Sequence, residues 1–431
     1  MDQVLKVQLS DKSSDLYQRL EKACYNSARL YNFALYHARQ EFFETGGLPD
    51  YNSIEKDVRS VKDNNGEYPY RKLPAGVAQD TLRYLGNAIT SYKSAIYDYN
   101  IHPNKYKGEP KIPNYIRKDG LYQIYLGYGK SFSKKHTTKR KIVCLPFSKV
   151  PELKGITFNL PPELDSDYVT GIRVVPHHGI FDIEYIYQVE DVDLKPNNGR
   201  ALAIDFGIDN FITTVDNTGA TPFVVKGNVI KSINQHYNKS KAKAQSLLPK
   251  GVNTSKYITK LGLNRQNQLR DQFHKISSSL IEYCISSQIN TIVIGYNEYW
   301  KQSISLGRKL NQKFTSIPYY KFKSMLRQKA QRIGINIVEV NEAYTSKCSF
   351  LDDETAERHE SYLGKRISRG QFQSSTGVII NADVNAAANI LVKAEFKLDT
   401  LPLKVNSFIP CSSKRNPIKA TKVVKFGYSY S

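Results

Sequence analysis

The chain has 431 residues, enough for two or three domains, and its 62 Lys and Arg against 40 Asp and Glu give a formal net charge of +22. A field of that sign attracts polyanions, so a nucleic acid is the expected partner. Five widely spaced cysteines without a C-x-x-C pair (Cys24, Cys144, Cys284, Cys348, Cys411) exclude a disulfide framework and fit a reducing, cytoplasmic setting, while the lack of a leader-like start or a bilayer-length apolar run argues against secretion and against a membrane partner.

Val4 to Leu9 alternates like a strand. Leu16, Leu20, Ala23, Leu30, Ala34 and Ala38 then recur at helical spacing to about Phe43, where Gly46 and Gly47 end the helix. A second helix opens at Pro74 and carries Ala78, Leu82, Leu85, Ile89, Tyr92 and Ile96 on one face. The two are expected to pack as an antiparallel pair, with the stretch around Asp63-Asn64-Asn65-Gly66 as a surface loop. Such stripes are ordinary core and carry no function alone.

From Tyr106 to Val189 the character changes. Tyr106, Tyr115, Tyr122, Tyr125 and Tyr128 are interleaved with Lys105, Lys107, Lys111, Arg117 and Lys118, and a basic run follows at Lys134, Lys135, His136, Lys139, Arg140 and Lys141. Rings that stack on bases beside cations that meet phosphates suit single-strand or RNA contact, although a β-domain with exposed tyrosines accounts for any one of them nearly as well. Phe181, Ile183, Tyr185, Tyr187 and Val189 alternate as a half-buried strand. A small β-barrel interrupted by the helical pair is the expected architecture of this half.

Lys195-Pro196-Asn197-Asn198-Gly199 reads as a linker. Beyond it come strands at Ala201–Ile208, Phe211–Asp216 and Pro222–Val225, a long helical region, a strand at Thr291–Gly295, a helix from about Pro318 to Arg332, a strand at Asn336–Val340 and a closing helix at Asp383. That is the element order of an α/β RNase H-like fold. In the long helical region Leu269, Phe273, Ile276, Leu280 and Cys284 make the buried face, leaving Arg265, Arg270, His274 and Lys275 for a nucleic-acid channel or, more ordinarily, for solvent.

Two carboxylates stand out. Asp205 lies in the apolar strand A-L-A-I-D-F-G-I-D-N, and Asp383 opens the Ala-rich helix I-N-A-D-V-N-A-A-A-N-I-L. Burying a lone acid is costly unless it is paired or holds a cation. Asp383 alone is more simply a helix cap, and Asp205 followed by Gly207 also opens the phosphate loop of actin-like ATPases, but these need a second D-x-G strand that is not found. On a strongly basic chain the pair favours a two-metal nuclease.

With these residues in hand, the chain resembles the TnpB family of transposon-encoded RNA-guided nucleases, related to type V CRISPR effectors and Fanzor proteins. The resemblance is carried by A-I-D-F-G-I-D-N, F-H-K-I-S, I-V-I-G-Y-N-E-Y-W-K with Trp300 and Lys301, N-E-A-Y-T-S-K-C-S, and N-A-D-V-N-A-A-A-N-I. It implies a RuvC-like nuclease domain over 200–395 with a ribbon insertion at 345–380. It also implies a wedge-like β-barrel over 1–12 and 104–195 and a helical recognition lobe over 13–103. A basic tail, 396–431, includes Lys404, Lys414, Arg415, Lys419, Lys422 and Lys425 with Asp399 as its one late acid, and reads either as a disordered solubilising tail or, as the charge imbalance favours, as an RNA-binding arm. The partners implied are a guide RNA from the transposon end and target double-stranded DNA with a short adjacent motif.

The resemblance makes Asp205 the first acid of a catalytic triad and Asp383 the third. Relatives usually place the second, a Glu, where this chain has Gly295; a subset and the Fanzors carry a relocated Glu just before the T-S-K segment, where Glu342 stands. Asp205, Glu342 and Asp383 are therefore the expected ligands of two Mg²⁺ ions, with Glu298 as a loop alternative and Glu339 as a weaker one. A chain in which neither Glu342 nor Glu298 reaches the metals would be a nuclease-inactive RNA-guided DNA-binding protein; a guide-independent transposase is the other rival. The ribbon of relatives holds zinc on two cysteine pairs. Here Cys348 alone remains, Phe372-Gln373-Ser374-Ser375 replaces the second pair, and Cys348 with His359 is too few ligands, so zinc is not expected.

Overall fold

The computed structural model describes residues 2–297, 312 and 315–408, and the chain divides between Glu190 and Asp191 into two units, each with its own core. The first begins with strand β1 (Asp2–Leu9) and helix α1 (Asp15–Thr45). Ser14 caps α1 by accepting from Tyr17 N, and Gly46, at φ 75°, ends it in the left-handed conformation that glycine adopts without penalty. Helix α3 (Ala75–Ile101) starts directly after Pro74. Between them lies α2 (Tyr51–Val58), in a stretch expected to be loop. Its signal is short, an Asp50 cap and one buried i, i+4 pair, Ile54 and Val58, too little periodicity to stand out.

Strands β2 (Ile124–Gly127), β6 (Val169–His177) and β7 (Ile180–Gln188) join β1 in an antiparallel sheet of order β1-β7-β6-β2; β3 (Thr137–Thr138), β4 (Lys141–Cys144) and β5 (Ile156–Asn159) make a second, separate sheet. The expected barrel is thus two open ladders rather than one closed one. They share a core with the helices: Leu20, Leu35, Leu82 and Leu85 cluster with Phe158, Ile172 and Phe181. The alternation on β7 holds, with Phe181, Ile183 and Tyr185 in that core, but the opposite face is also covered. There Asp182 and Glu184 are buried and neutralised by Lys6, 2.8 Å from both, and by Arg173, 2.7 Å from Glu184. Buried acids persist in this way only when paired.

In the second unit, β8 (Ala201–Phe206), β9 (Asn210–Asp216) and β10 (Phe223–Lys226) form an antiparallel meander. Two helices follow, α4 (Asn228–Ser246) and α5 (Lys256–Ser286). Strand β11 (Thr291–Tyr296) pairs parallel with β8, and after α6 (Tyr319–Gln331), β12 (Asn336–Asn341) pairs parallel with β11. The sheet order is β12-β11-β8-β9-β10, with β16 (Asn406–Phe408) added at the β10 edge. This is the RNase H-like arrangement expected from the element order. A small antiparallel sheet, β13 (Lys365–Ser368), β14 (Gln371–Gln373) and β15 (Ile379–Asn381), leads into helix α7 (Ala382–Lys393).

The helical face expected to be buried on α5 is so, with Leu269, Phe273, Ile276, Leu280 and Cys284 all in the core. Phe211 stacks on Phe273 and Tyr319 and meets Phe322 edge-on, tying β9, α5 and α6 together beside the end of β8. On the other face α7 lays Val384, Ala387, Ala388 and Leu391 against Ala201, Ala203 and Val293; small residues on both sides permit the close approach. No helix among the described residues is long and apolar enough to cross a membrane.

Candidate metal centre and nucleic-acid interface

Strand β8 delivers Asp205 to its C-terminal end beside the start of α7. Asn381 is the residue that caps α7, its side chain accepting from Asp383 N (2.9 Å) and Val384 N (3.2 Å). Asp383 is therefore released from the capping role that its position suggested. Its carboxylate instead accepts from Asn210 Nδ2 at 2.7 Å, and Lys226 Nζ holds that amide by donating to Asn210 Oδ1 at 3.0 Å.

Glu342 comes from one residue past β12. Its backbone N–H bonds Tyr296 O at 3.0 Å, extending the β11–β12 ladder, and its carbonyl is gripped by Thr345 N and Thr345 Oγ1 at 3.2 and 2.8 Å. The side chain turns back over β11. A Cβ built on Gly295 would lie 3.1 Å from Glu342 Oε2 and 2.7 Å from Ile390 Cδ1. The carboxylate thus occupies the space that a side chain at 295 would enter, and the glycine is what lets it in.

Asp205 feels both of the other acids. Burial first, then the charges of Asp383 and Glu342, push the Asp205 carboxyl well above its usual range, and Arg366 only partly opposes them. Burial pushes Glu342 up to about 7. Crowded, desolvated carboxylates with this little compensation are the donor set of a hard divalent cation, which supplies the missing charge. The residues present fit the metals that the sequence implies.

The rim is basic. Arg366 NH2 stands 3.6 Å from Asp383 Oδ1, and Arg369 NH2 pairs with Asp209 Oδ2 at 2.6 Å, so the β13–β14 hairpin places two guanidiniums at the acids. Sequence reading missed Asn210, Lys226, Arg366 and Arg369. Asn210 closes the A-I-D-F-G-I-D-N motif and was the one legible signal among them. Gly207 has a local reason to be glycine: a Cβ there would meet Asn210 O at 2.5 Å. Glu339 does not reach the centre, being held by Lys323 at 2.8 Å and by Arg327 on α6. Glu298, Trp300 and Lys301 lie outside the described residues, as do Cys411 and the tail lysines beyond Phe408.

The residues proposed for nucleic-acid contact fall into two kinds. Lys107, Lys111, Arg117, Lys134, Lys135 and Arg140 are exposed. Tyr115 is exposed under the Arg39 guanidinium, 4.6 Å from its ring, whereas Tyr106 is engaged, its hydroxyl donating to Asp98 at 2.6 Å. In the second unit His274 and Lys275 are exposed, Lys275 pairing with Asp271 at 2.7 Å. Arg265, expected to be free, is tied to Asn234 Oδ1 (2.6 Å) and Ser316 O (2.7 Å) and braces α4 against the segment before α6. Around the ribbon, Ser375 donates from N and Oγ to Asp352, and Phe372 packs with Ile380, Ala382 and Leu351 at the place where the resemblance led one to expect a second cysteine pair. Glu354 stands beside Cys348 and His359, with the three donor atoms within 4.8 Å of one another.

Known proteins add the following. Residues 184–301 match the family described as "Probable transposase", and residues 319–390 match "Cas12f1-like, TNB domain". A TnpB-like protein, ORF457, of Acidianus two-tailed virus is 25% identical over 467 residues, which span 96% of this chain and 94% of that protein. Among solved structures, a Cas12f1–sgRNA–target DNA complex is 16% identical over 90% of this chain and 98% of its own, at a TM-score of 0.33. The mini-RNA-guided endonuclease CRISPR-Cas_phi3 is 10% identical over 93% and 94%, at 0.48. Both scores fall below the level from which a common fold follows. The sequence matches fall on the two segments that bear the acids and, at 25% identity, on nearly the full length of a TnpB-like protein: the chain is similar to TnpB-like proteins.

Proposed function

We propose that this chain is a transposon-associated, RNA-guided DNA endonuclease whose RuvC-like centre is Asp205, Glu342 and Asp383. The observation that carries the reading is the carboxylate of Glu342 lying over Gly295 beside two further acids at the carboxyl ends of the parallel strands. A binding-only protein has no use for three acids gathered in one place with a single guanidinium and one amide set against them.

Asp205, Glu342 and Asp383 would hold Mg²⁺, which when bound activates water and stabilises the leaving 3′-oxygen. Asn210 fixes the Asp383 carboxylate through one oxygen and leaves the other for the cation. Thr345 and the Tyr296 carbonyl hold the Glu342 backbone, so the acid reaches the centre without a flexible loop. Arg366 and Arg369, held on carboxylates in the absence of substrate, are placed to turn to the phosphates of the strand being cut. The exposed cations from Lys107 to Arg140 would grip guide RNA and the guide–target duplex by charge and shape, while base pairing reads sequence.

The test is cleavage of a matched plasmid by protein purified with its RNA. Mg²⁺-dependent cutting that RNase abolishes, and that Asp205→Ala, Glu342→Gln and Asp383→Ala each remove while target binding persists, is the expected result. Target binding with no cutting by the wild type would favour a binding-only protein, and RNase-resistant cutting a guide-independent transposase.

A further inference from the structure

We propose that Tyr319 is a positioning residue of the acidic centre: its hydroxyl latches the turn between β8 and β9, and so sets the geometry in which Asp205 and Asp383 meet a divalent cation. This role rests on the reading of the three acids as a metal centre. Tyr319 is the first residue of α6 and is buried, and its hydroxyl donates to Gly207 O at 2.8 Å. Gly207 lies two residues past Asp205 and three before Asn210, whose amide holds the Asp383 carboxylate. One hydrogen bond therefore grips the backbone that joins a metal ligand to the group orienting another.

The rest of the turn is held from other sides. Gly207 N donates to Phe211 O at 3.3 Å, and Gly227 N, at the start of α4, donates to Asp209 O at 2.8 Å. The Asp209 side chain is paired with Lys231 at 2.7 Å and with Arg369 at 2.6 Å. These contacts fix the far half of the turn, and the half nearer Asp205 depends on the Gly207 carbonyl. Its partner is the Tyr319 hydroxyl.

The ring itself is placed by apolar packing. It stacks on Phe211, centroids 5.8 Å apart at 16°, and meets Phe206 at 5.5 Å, so the residues on both sides of the turn hold it. Phenylalanine at 319 would keep those contacts and lose only the donor to the carbonyl. A buried hydroxyl bond also stabilises the fold wherever it lies, and Tyr283 supplies the comparison. Its hydroxyl donates to Asp216 Oδ2 at 2.5 Å, and Asp216 faces Leu202 at the end of the β8–β9 ladder opposite to Asp205.

The full-length chain, with any RNA it retains, is titrated with Mn²⁺, and the free ion is counted by electron paramagnetic resonance. Asp383→Ala serves as the blank for ions held elsewhere. Tyr319→Phe should weaken the Asp383-dependent Mn²⁺ binding about tenfold. It should also raise the Mg²⁺ needed for half-maximal cutting by a similar factor, with the rate at saturating Mg²⁺ close to wild type. Tyr283→Phe should lower the denaturation midpoint as much as Tyr319→Phe does and leave Mn²⁺ affinity at the wild-type value. An Mn²⁺ affinity unchanged in Tyr319→Phe, or weakened equally in both variants, overturns the positioning role. A wild type without Asp383-dependent Mn²⁺ binding overturns the metal centre itself, and the role with it.

Discussion

At the scale of single residues, the proposed centre draws its second acid, Glu342, from the end of β12 over Gly295 on the neighbouring strand. The elevation of Glu342 to about 7, from burial, has a consequence for stability. A carboxyl whose folded value exceeds its unfolded value of 4.5 binds more protons when native, so the stability it contributes is complete below pH 4.5 and is lost as pH rises through about 7. Asp205, raised in the same direction, adds to the slope. In metal-free protein, Glu342→Gln should therefore gain in denaturation midpoint relative to wild type between pH 5 and pH 8, by an amount on the order of 1–3 kcal/mol. Saturating Mg²⁺ should reverse the order at pH 8, because the cation binds the ionised wild-type centre. A difference that stays flat with pH would mean that Glu342 is solvated and does not face the other acids.

At the scale of elements, α7 does two jobs with one sequence motif. Its first turn presents Asp383, and its second and third turns present Asn385 and Asn389, which hold the loop after Glu342 through Thr345 O, Cys348 O and Phe350 N. Asn389→Ala leaves the Thr345 carbonyl without its side-chain donor and the Cys348 carbonyl with Asn385 alone, and should cost about 1–3 kcal/mol. It should also lower cleavage through a displaced Glu342, read as a fall in the denaturation midpoint together with slower cutting at unchanged RNA affinity. The element order and the two aspartates stood out in the sequence because each rests on a local pattern, alternation or an acid in an apolar run, whereas Glu342 was named only through the resemblance, which points to a glutamate ahead of the T-S-K segment. The Asn385 and Asn389 contacts did not stand out, since their partners are backbone carbonyls that any sequence could supply. Arg366 and Arg369 were missed for a similar reason. They sit on a short exposed hairpin without a buried stripe, and only tertiary structure brings it over Asp383 and Asp209.

At the scale of the whole molecule, a net charge of +22 is far more than the fold requires, and the exposed cations from Lys107 to Arg140 mark one place where it is displayed. The protein should leave moderate-salt purification with structured RNA bound, visible as nucleic-acid absorbance that DNase leaves and RNase removes. Replacing Lys134, Lys135 and Arg140 with Ala should weaken RNA binding and flatten its salt dependence, since each lost phosphate contact removes close to one unit of slope. Purification free of nucleic acid, with cutting intact, would contradict a guided mechanism. The central claim is that Glu342 stands in for an acid missing at Gly295, and moving the acid back tests it most directly. Glu342→Gly alone should abolish Mg²⁺-dependent cleavage, Gly295→Glu alone should impair it by crowding Glu342 and Ile390, and the double exchange should recover cutting well above either single variant. Full activity in Glu342→Gly, or a double exchange as dead as Glu342→Gly in a folded, RNA-bound protein, would contradict the account.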